Sequence, residues 1–263
     1  MENIKRVLSY VRRAVDDYKM IAEGDSIAVG LSGGKDSLTL LTALSELRRF
    51  YPNKFSLHAI TIDMGFENAD FSAVAGLCAS LDVPYHIVPT QIAKVVFDIR
   101  REPNPCSLCA KMRRGALHAA AKERGCSKVA LGHHFDDVVE TFMLNLFFEG
   151  RIGCFQPVTY LSRRDITLIR PLIYMPEKDI RYFASKAGLP VVDSPCPANG
   201  ETEREEMKRL LATLERWHKG LRHRIFGAIQ RGGVDGFRDF GRLEEKRYTE
   251  EEQTDIKNQG PAV

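Results

Sequence analysis

The run "SIAVGLSGGKDSLTLLTAL", residues 26–44, decides the fold. Its first part, residues 26–31, is short, apolar and bounded by turn residues, the pattern of a strand buried on both faces. The hexapeptide "SGGKDS", residues 32–37, follows at once, and a helix is predicted from Leu38 to Phe50. Gly33 and Gly34 permit a tight turn and let backbone N–H groups come close to an anion. The helix N-terminus behind them adds positive potential suited to a phosphate. Lys35 and the hydroxyls of Ser32 and Ser37 supply further donors, and Asp36 can coordinate a magnesium ion that bridges phosphates. The spacing is not G-x-x-x-x-G-K-[ST], so chemistry at a γ-phosphate is not implied.

Working outward, residues 4–21 carry Ile4, Val7, Leu8, Val11, Val15 and Tyr18 at helical spacing. "SLHAITID", "PYHIVP", "KVALGH" and "ITLIRP" read as further strands. Helices are predicted over 68–81, Ser107 to Arg124, Asp136 to Phe148 and Pro176 to Ala187, the last with proline in its first turn. A final long helix, about 202–230, lines up Met207, Leu210, Leu211, Leu214, Trp217, Leu221 and Ile225. Thr202 with Glu205 forms a capping-box pattern at its start. Strands alternating with helices predict an α/β, doubly wound, mostly parallel five-stranded sheet with helices on both faces. Helical extensions flank it at both ends. The expected division is 1–23, an N-terminal helix; 24–195, the nucleotide domain with an insertion at 100–115; 196–242, a basic helical region; and 243–263, a polar tail expected to be disordered. Ligands of such sheets bind beyond the carboxyl ends of the strands. "SGGKDS", "DMGF" at 63–66 and "GHHFDD" at 132–137 all fall there.

A membrane span needs about 18 apolar residues in a row, and the sequence has no such run. The N-terminal "MENIKRVLSYVRRAV" is charged throughout and lacks the apolar centre of a signal peptide. A cytoplasmic protein with reduced cysteines is expected. Net charge is only +3, but it is unevenly spread. Residues 100–128 hold eight Lys and Arg against two Glu, and residues 204–231 hold eight against three. Two such segments in a near-neutral chain suit an anionic partner such as nucleic acid; solvated helix faces would look the same.

Cys106 and Cys109 form a C-x-x-C pair after a Pro-containing loop, at the head of a basic helix. A helix N-terminus lowers thiol pKa values and favours thiolates. Four readings compete. Structural zinc wants four Cys or His ligands, and no second C-x-x-C exists. A thioredoxin-like pair belongs to another βαβ context. The cysteines could also be unremarkable, or could hold an iron–sulfur cluster. Cys78, within a helix, and Cys126, just before a strand, read as buried packing residues.

"SGGKDS" is similar to the PP-loop of the ATP pyrophosphatase superfamily. With "GHHFDDVVETFMLNL", residues 132–146, and "CSLC", the chain resembles the tRNA 2-thiocytidine synthetases over most of residues 1–200. The resemblance implies an adenine nucleotide alpha hydrolase fold that cleaves ATP between its α and β phosphates and adenylates a pyrimidine C2 carbonyl in tRNA. It points to the anticodon-loop cytidine 32. Oxygen is replaced by sulfur, and AMP and pyrophosphate are released. Ser32, Gly33, Gly34, Lys35, Asp36 and Ser37 would hold the phosphates. Asp63, Met64, Gly132 and His133 would border the nucleotide, and Asp36 and Asp137 would assist the chemistry, Asp36 through magnesium. The family pattern implies a [4Fe-4S] cluster on Cys106, Cys109 and one distant cysteine. That cysteine is Cys196 in "DSPCPANG", with Cys154 in "EGRIGCFQP" as the second candidate. Pro197, Ala198 and Asn199 stand where the family often has another cysteine. Lys111, Arg113, Arg114, Arg216 and Arg222 would contact RNA phosphates. The partners implied are tRNA, a sulfur donor (a cysteine desulfurase or free sulfide) and a second copy of the chain. A lysidine-synthetase-like ligase shares the PP-loop and "GHHFDD" but has no use for the three cysteines. Thiolation of another base, and a non-enzymatic redox sensor, are the remaining alternatives.

Overall fold

The computed structural model describes residues 4–67, 69–101, 105–192, 196 and 203–240. The expected capping residue Thr202 and the tail 243–263 lie outside them. Helix α1 (Ile4–Asp17) leads to strand β1 (Asp25–Leu31), helix α2 (Lys35–Arg48), β2 (Phe55–Asp63), α3 (Ser72–Ser80) and β3 (Tyr85–Pro89). A π-helical segment, Lys94–Arg100, precedes α4 (Pro105–Glu123). Then follow β4 (Lys128–Ala130), α5 (Phe135–Phe148), β5 (Val158–Leu161), β6 (Ile166–Ile169), α6 (Glu177–Lys186), α7 (Glu203–Trp217) and α8 (Leu221–Arg231). Among the described residues no helix is long and apolar enough to cross a membrane.

One sheet has the order β3-β2-β1-β4-β6-β5. β1 pairs in parallel with β2 on one side and β4 on the other, so the winding reverses at β1 and β4. Crevices beyond the carboxyl ends of such a pair are where doubly wound sheets bind ligands. The residues of β1 alternate between two cores, as the period of two in a strand requires. Ile27, Val29 and Leu31 join the larger core with α1, α2 and α6. Ala28 joins the smaller one with Leu117, Ala120 and Ala121 of α4. A side chain at Gly30 would come within 2.8 Å of Leu117, so the glycine lets α4 lie close on β1.

Two features depart from the sequence expectation. The sheet has six strands, because "VTYL" adds an antiparallel edge strand, β5, hairpinned to β6. Four half-exposed residues carry too short an alternation to be read without their partner. The long C-terminal helix is two helices. Gly220 takes a left-handed conformation (φ 78°), and the Glu215 carboxylate accepts from the Gly220 and Arg222 N–H groups at 2.6 and 3.0 Å. Met207, Leu211, Phe226, Ile229 and Phe237 are buried in the same core as β1 and α2. The C-terminal helices thus share the core on which β1 and α2 are packed.

Candidate active site

The phosphate loop is built before any ligand arrives. Gly33 has a φ of +80°, open to glycine at little cost. Its carbonyl accepts from Val192 N–H at 3.0 Å, which ties the loop to the end of the chain segment after α6. Ser37 Oγ donates to Gly34 O at 3.0 Å and accepts from Ser32 N–H at 3.2 Å, closing the turn on itself. Gly34 is the N-cap of α2 and offers no side chain to the first-turn N–H groups. Those groups are left for an anion.

The second motif lies directly against the first. A Cβ on Gly132 would stand 3.2 Å from the Asp36 carbonyl carbon and the Ser37 nitrogen. A side chain there would press on the loop backbone, so glycine lets the β4–α5 turn lie this close to the phosphate loop. His134 caps α5: its N–H donates to Asp137 Oδ2 at 2.9 Å, and its Nδ1 accepts from Asp137 N–H at 3.4 Å. His134 is thus held by hydrogen bonds at the turn, and part of Asp137 is occupied in holding it. Asp36 holds Lys35 through Oδ2 at 3.0 Å, while its Oδ1 is buried with no hydrogen-bond partner. This oxygen has His134 Nε2 at 3.8 Å as its ionic neighbour, and a carboxylate oxygen with no hydrogen bond beside a phosphate loop suits magnesium.

His133 turns the other way. Its ring lies 4.8 Å from that of Phe155, and the Arg170 guanidinium sits over the same Phe155 ring at 5.0 Å. Burial, and then the Arg170 charge, push the His133 pKa down to about 4. A neutral ring offers a phosphate a hydrogen bond and no charge. Arg170 itself is buried, with Nη1 donating to Gln156 O at 2.6 Å and Nε unpaired. Sequence reasoning passed over Arg170. Its position immediately after β6, at the carboxyl edge of the sheet, was the available signal.

Cys106 lies in the first turn of α4, and Cys109 opens the second. Cys109 Sγ lies 3.5 Å from Met64 Sδ, just beyond the carboxyl end of β2. This contact brings the C-x-x-C turn to the same edge of the sheet as the phosphate loop. The expectation of a lowered thiol pKa does not hold for Cys109. Burial raises it, Arg113 opposes, and the nearby Cys196 and Cys106 add to the rise. Cys196 lies close enough for its charge to act on Cys109. Cys154 has different surroundings: its N–H donates to Asp235 Oδ2 at 2.7 Å, and burial followed by Asp235 pushes its thiol up to about 12. Among the described residues no three Cys, His, Asp or Glu side chains surround a single metal ion. Cys78 and Cys126 are buried, as expected of packing residues.

The family model for a PP-loop domain matches residues 6–214. The chain is 42% identical to the tRNA-cytidine(32) 2-sulfurtransferase of Pelobacter propionicus, over 86% of this chain and 85% of that protein. It is 39% identical to the enzyme of the same name from Geobacter sulfurreducens, over 86% and 89%. The chain belongs to this PP-loop family. Among solved structures it is similar to the U34-tRNA thiolase NcsA from Methanococcus maripaludis, determined with its [4Fe-4S] cluster. The TM-score is 0.72 and the identity 29%, over 87% of this chain and 78% of that one.

Within this PP-loop chain the expected RNA-contacting residues divide. Lys111, Arg113 and Arg114 are exposed on α4, and Arg216 is exposed on α7. Arg222 is turned inward instead. Its Nη1 lies 2.9 Å from Asp136 Oδ1 and 3.5 Å from Glu140 Oε1, and its side chain is only 15% exposed. Asp136 also accepts from Glu177 N–H at 2.7 Å, joining the starts of α5 and α6. Glu140 is buried and ionically paired: Arg204 reaches it at 3.8 Å and Asp137 at 3.4 Å, and donates to Thr141 Oγ1 at 3.1 Å. Burial and the neighbouring Asp137 push the Glu140 pKa up to about 7. The basic residues of α7 and α8 thus serve partly to seat those helices on acidic groups next to the site. A single sequence shows their charge but not which acids they meet.

Proposed function

We propose that this chain is an ATP-dependent tRNA thiolase that replaces the C2 oxygen of cytidine 32 with sulfur. The observation that carries the reading is the Met64–Cys109 contact. It sets a thiol-bearing helix against the strand end beside a loop built for phosphate, where nucleotide activation and sulfur delivery can meet on one base. The loop N–H groups and Lys35 would hold the β and γ phosphates, and Asp36 Oδ1 would share their magnesium. The C2 carbonyl oxygen attacks the α-phosphorus, the bond to the bridging oxygen breaks, and pyrophosphate leaves with the electron pair. The oxygen is now part of a good leaving group. Sulfide adds at C2 and AMP departs with the former carbonyl oxygen, so C2 exchanges one oxygen for one sulfur without net redox change. Cys106, Cys109 and Cys196 would hold the [4Fe-4S] cluster, which supplies, when bound, an iron without a protein ligand to present sulfur. Lys111, Arg113, Arg114 and Arg216 would bind RNA phosphates and orient the strand without reading its sequence. Adenylation of C2 requires the base to leave its stack. The sulfur would come from a cysteine desulfurase or free sulfide, and the chain would act as a homodimer in the cytoplasm.

The test is anaerobic incubation of the reconstituted protein with tRNA, ATP, magnesium and sulfide, followed by nucleoside mass spectrometry and pyrophosphate assay. The expected product is 2-thiocytidine, formed with tRNA-dependent pyrophosphate. Addition of an amine to the base would instead identify a ligase, and ATP binding with no tRNA-dependent pyrophosphate would identify a sensor.

A further inference from the structure

The Glu177 carboxylate, in the first turn of α6, gathers cations from three helices. Lys35 Nζ of the phosphate loop lies 3.1 Å from its Oε1. Lys208 Nζ of α7 lies 3.1 Å from Oε1 and 3.0 Å from Oε2, and Arg181 of α6 donates to Oε1 at 2.9 Å. The side chain is only 12% exposed, so water does little to replace a lost partner. Lys35 is the loop cation that must turn to the phosphates. Here it is shared between Glu177 and Asp36.

We propose that Glu177 is a positioning residue through which the docking of α7 and the affinity for nucleotide are coupled. The two lysines compete for one carboxylate. With Lys208 seated, Glu177 is already compensated and releases Lys35 to phosphate readily. With Lys208 withdrawn, Glu177 keeps Arg181 and Lys35, draws harder on Lys35 and opposes that turn. Coupling between two sites is reciprocal. Nucleotide that takes Lys35 must therefore tighten Glu177 on Lys208 and hold α7 down. This inference rests on the reading of residues 32–37 as a nucleotide loop.

The experiment is calorimetric titration of the full chain with magnesium and the α,β-methylene analogue of ATP, which the enzyme cannot cleave. Lys208→Met is expected to weaken binding about fivefold, the low end of ordinary coupling. In a Glu177→Gln background the same substitution is expected to change nothing. Arg209→Met removes the same charge from an exposed neighbouring position and should leave affinity unaltered. Equal weakening by Lys208→Met in both backgrounds, or by Arg209→Met, would mean a general field effect and overturns the proposal. Hydrogen exchange in the unsubstituted protein gives a second reading that needs no folded variant. Amides of α7 should exchange more slowly with the analogue bound, and unchanged exchange overturns the coupling. Absence of any analogue binding to the unsubstituted protein removes the nucleotide-loop reading itself, a separate failure.

Discussion

Glu140→Gln should change how stability depends on pH. The Glu140 side chain is 4% exposed, with Arg222 at 3.5 Å and Arg204 at 3.8 Å. Those partners do not fully offset burial and the charge of Asp137, and its pKa rises from 4.5 to about 7. The folded state therefore keeps a proton that the unfolded chain loses from about pH 4.5 upward. Stability from this group is full below 4.5 and is lost as pH rises to about 7. A displacement of that size corresponds to about 3 kcal/mol. The glutamine variant has no such group. Urea unfolding followed by far-UV circular dichroism, repeated from pH 4.5 to 8, yields the stability difference between the two proteins. Titrations common to both largely cancel in that difference. It should move by about 3 kcal/mol in favour of the variant across the window, roughly 1 M or more in urea midpoint. Parallel stability curves, or a difference moving the other way, would refute the argument that burial outweighs the two arginines.

Three further outcomes are expected. Gly132→Ala should lower kcat/KM for ATP-dependent pyrophosphate release by about tenfold or more, because the new methyl meets loop backbone at 3.2 Å that no side-chain rotation can relieve. Cys106→Ser and Cys109→Ser should abolish thiolation and the iron–sulfur absorbance while nucleotide binding persists. Cys154→Ser should retain both, since that thiol sits among Asp235, Arg170 and Arg151. Replacing Lys111, Arg113 and Arg114 together by alanine should weaken tRNA binding and flatten its log–log salt dependence by about two to three; an unchanged slope would remove α4 from the RNA surface.

Much of the fold was legible because its signals are local. A buried strand, a glycine turn and a helix start lie consecutively in residues 26–44, and the pattern recurs along the chain. The edge strand β5 and the break at Gly220 were not legible. One depends on pairing with β6, and the other on a carboxylate five residues earlier in the chain. The division among the cysteines follows the same line. Cys106 and Cys109 announce themselves by spacing, whereas the electrostatic influence of Cys196 on Cys109 exists only in three dimensions.

By itself the sequence determined the parallel α/β architecture, the phosphate loop and the C-x-x-C turn, since each is written in neighbouring residues with their own backbone preferences. Tertiary structure decided which charges meet. It turned Arg222 inward to Asp136, placed Lys35 and Lys208 on one carboxylate, and set Cys109 against Met64. Long charged side chains have no local preference for a partner. Their roles are set by the burial and distance that packing imposes, and a linear sequence does not contain those distances in any short stretch.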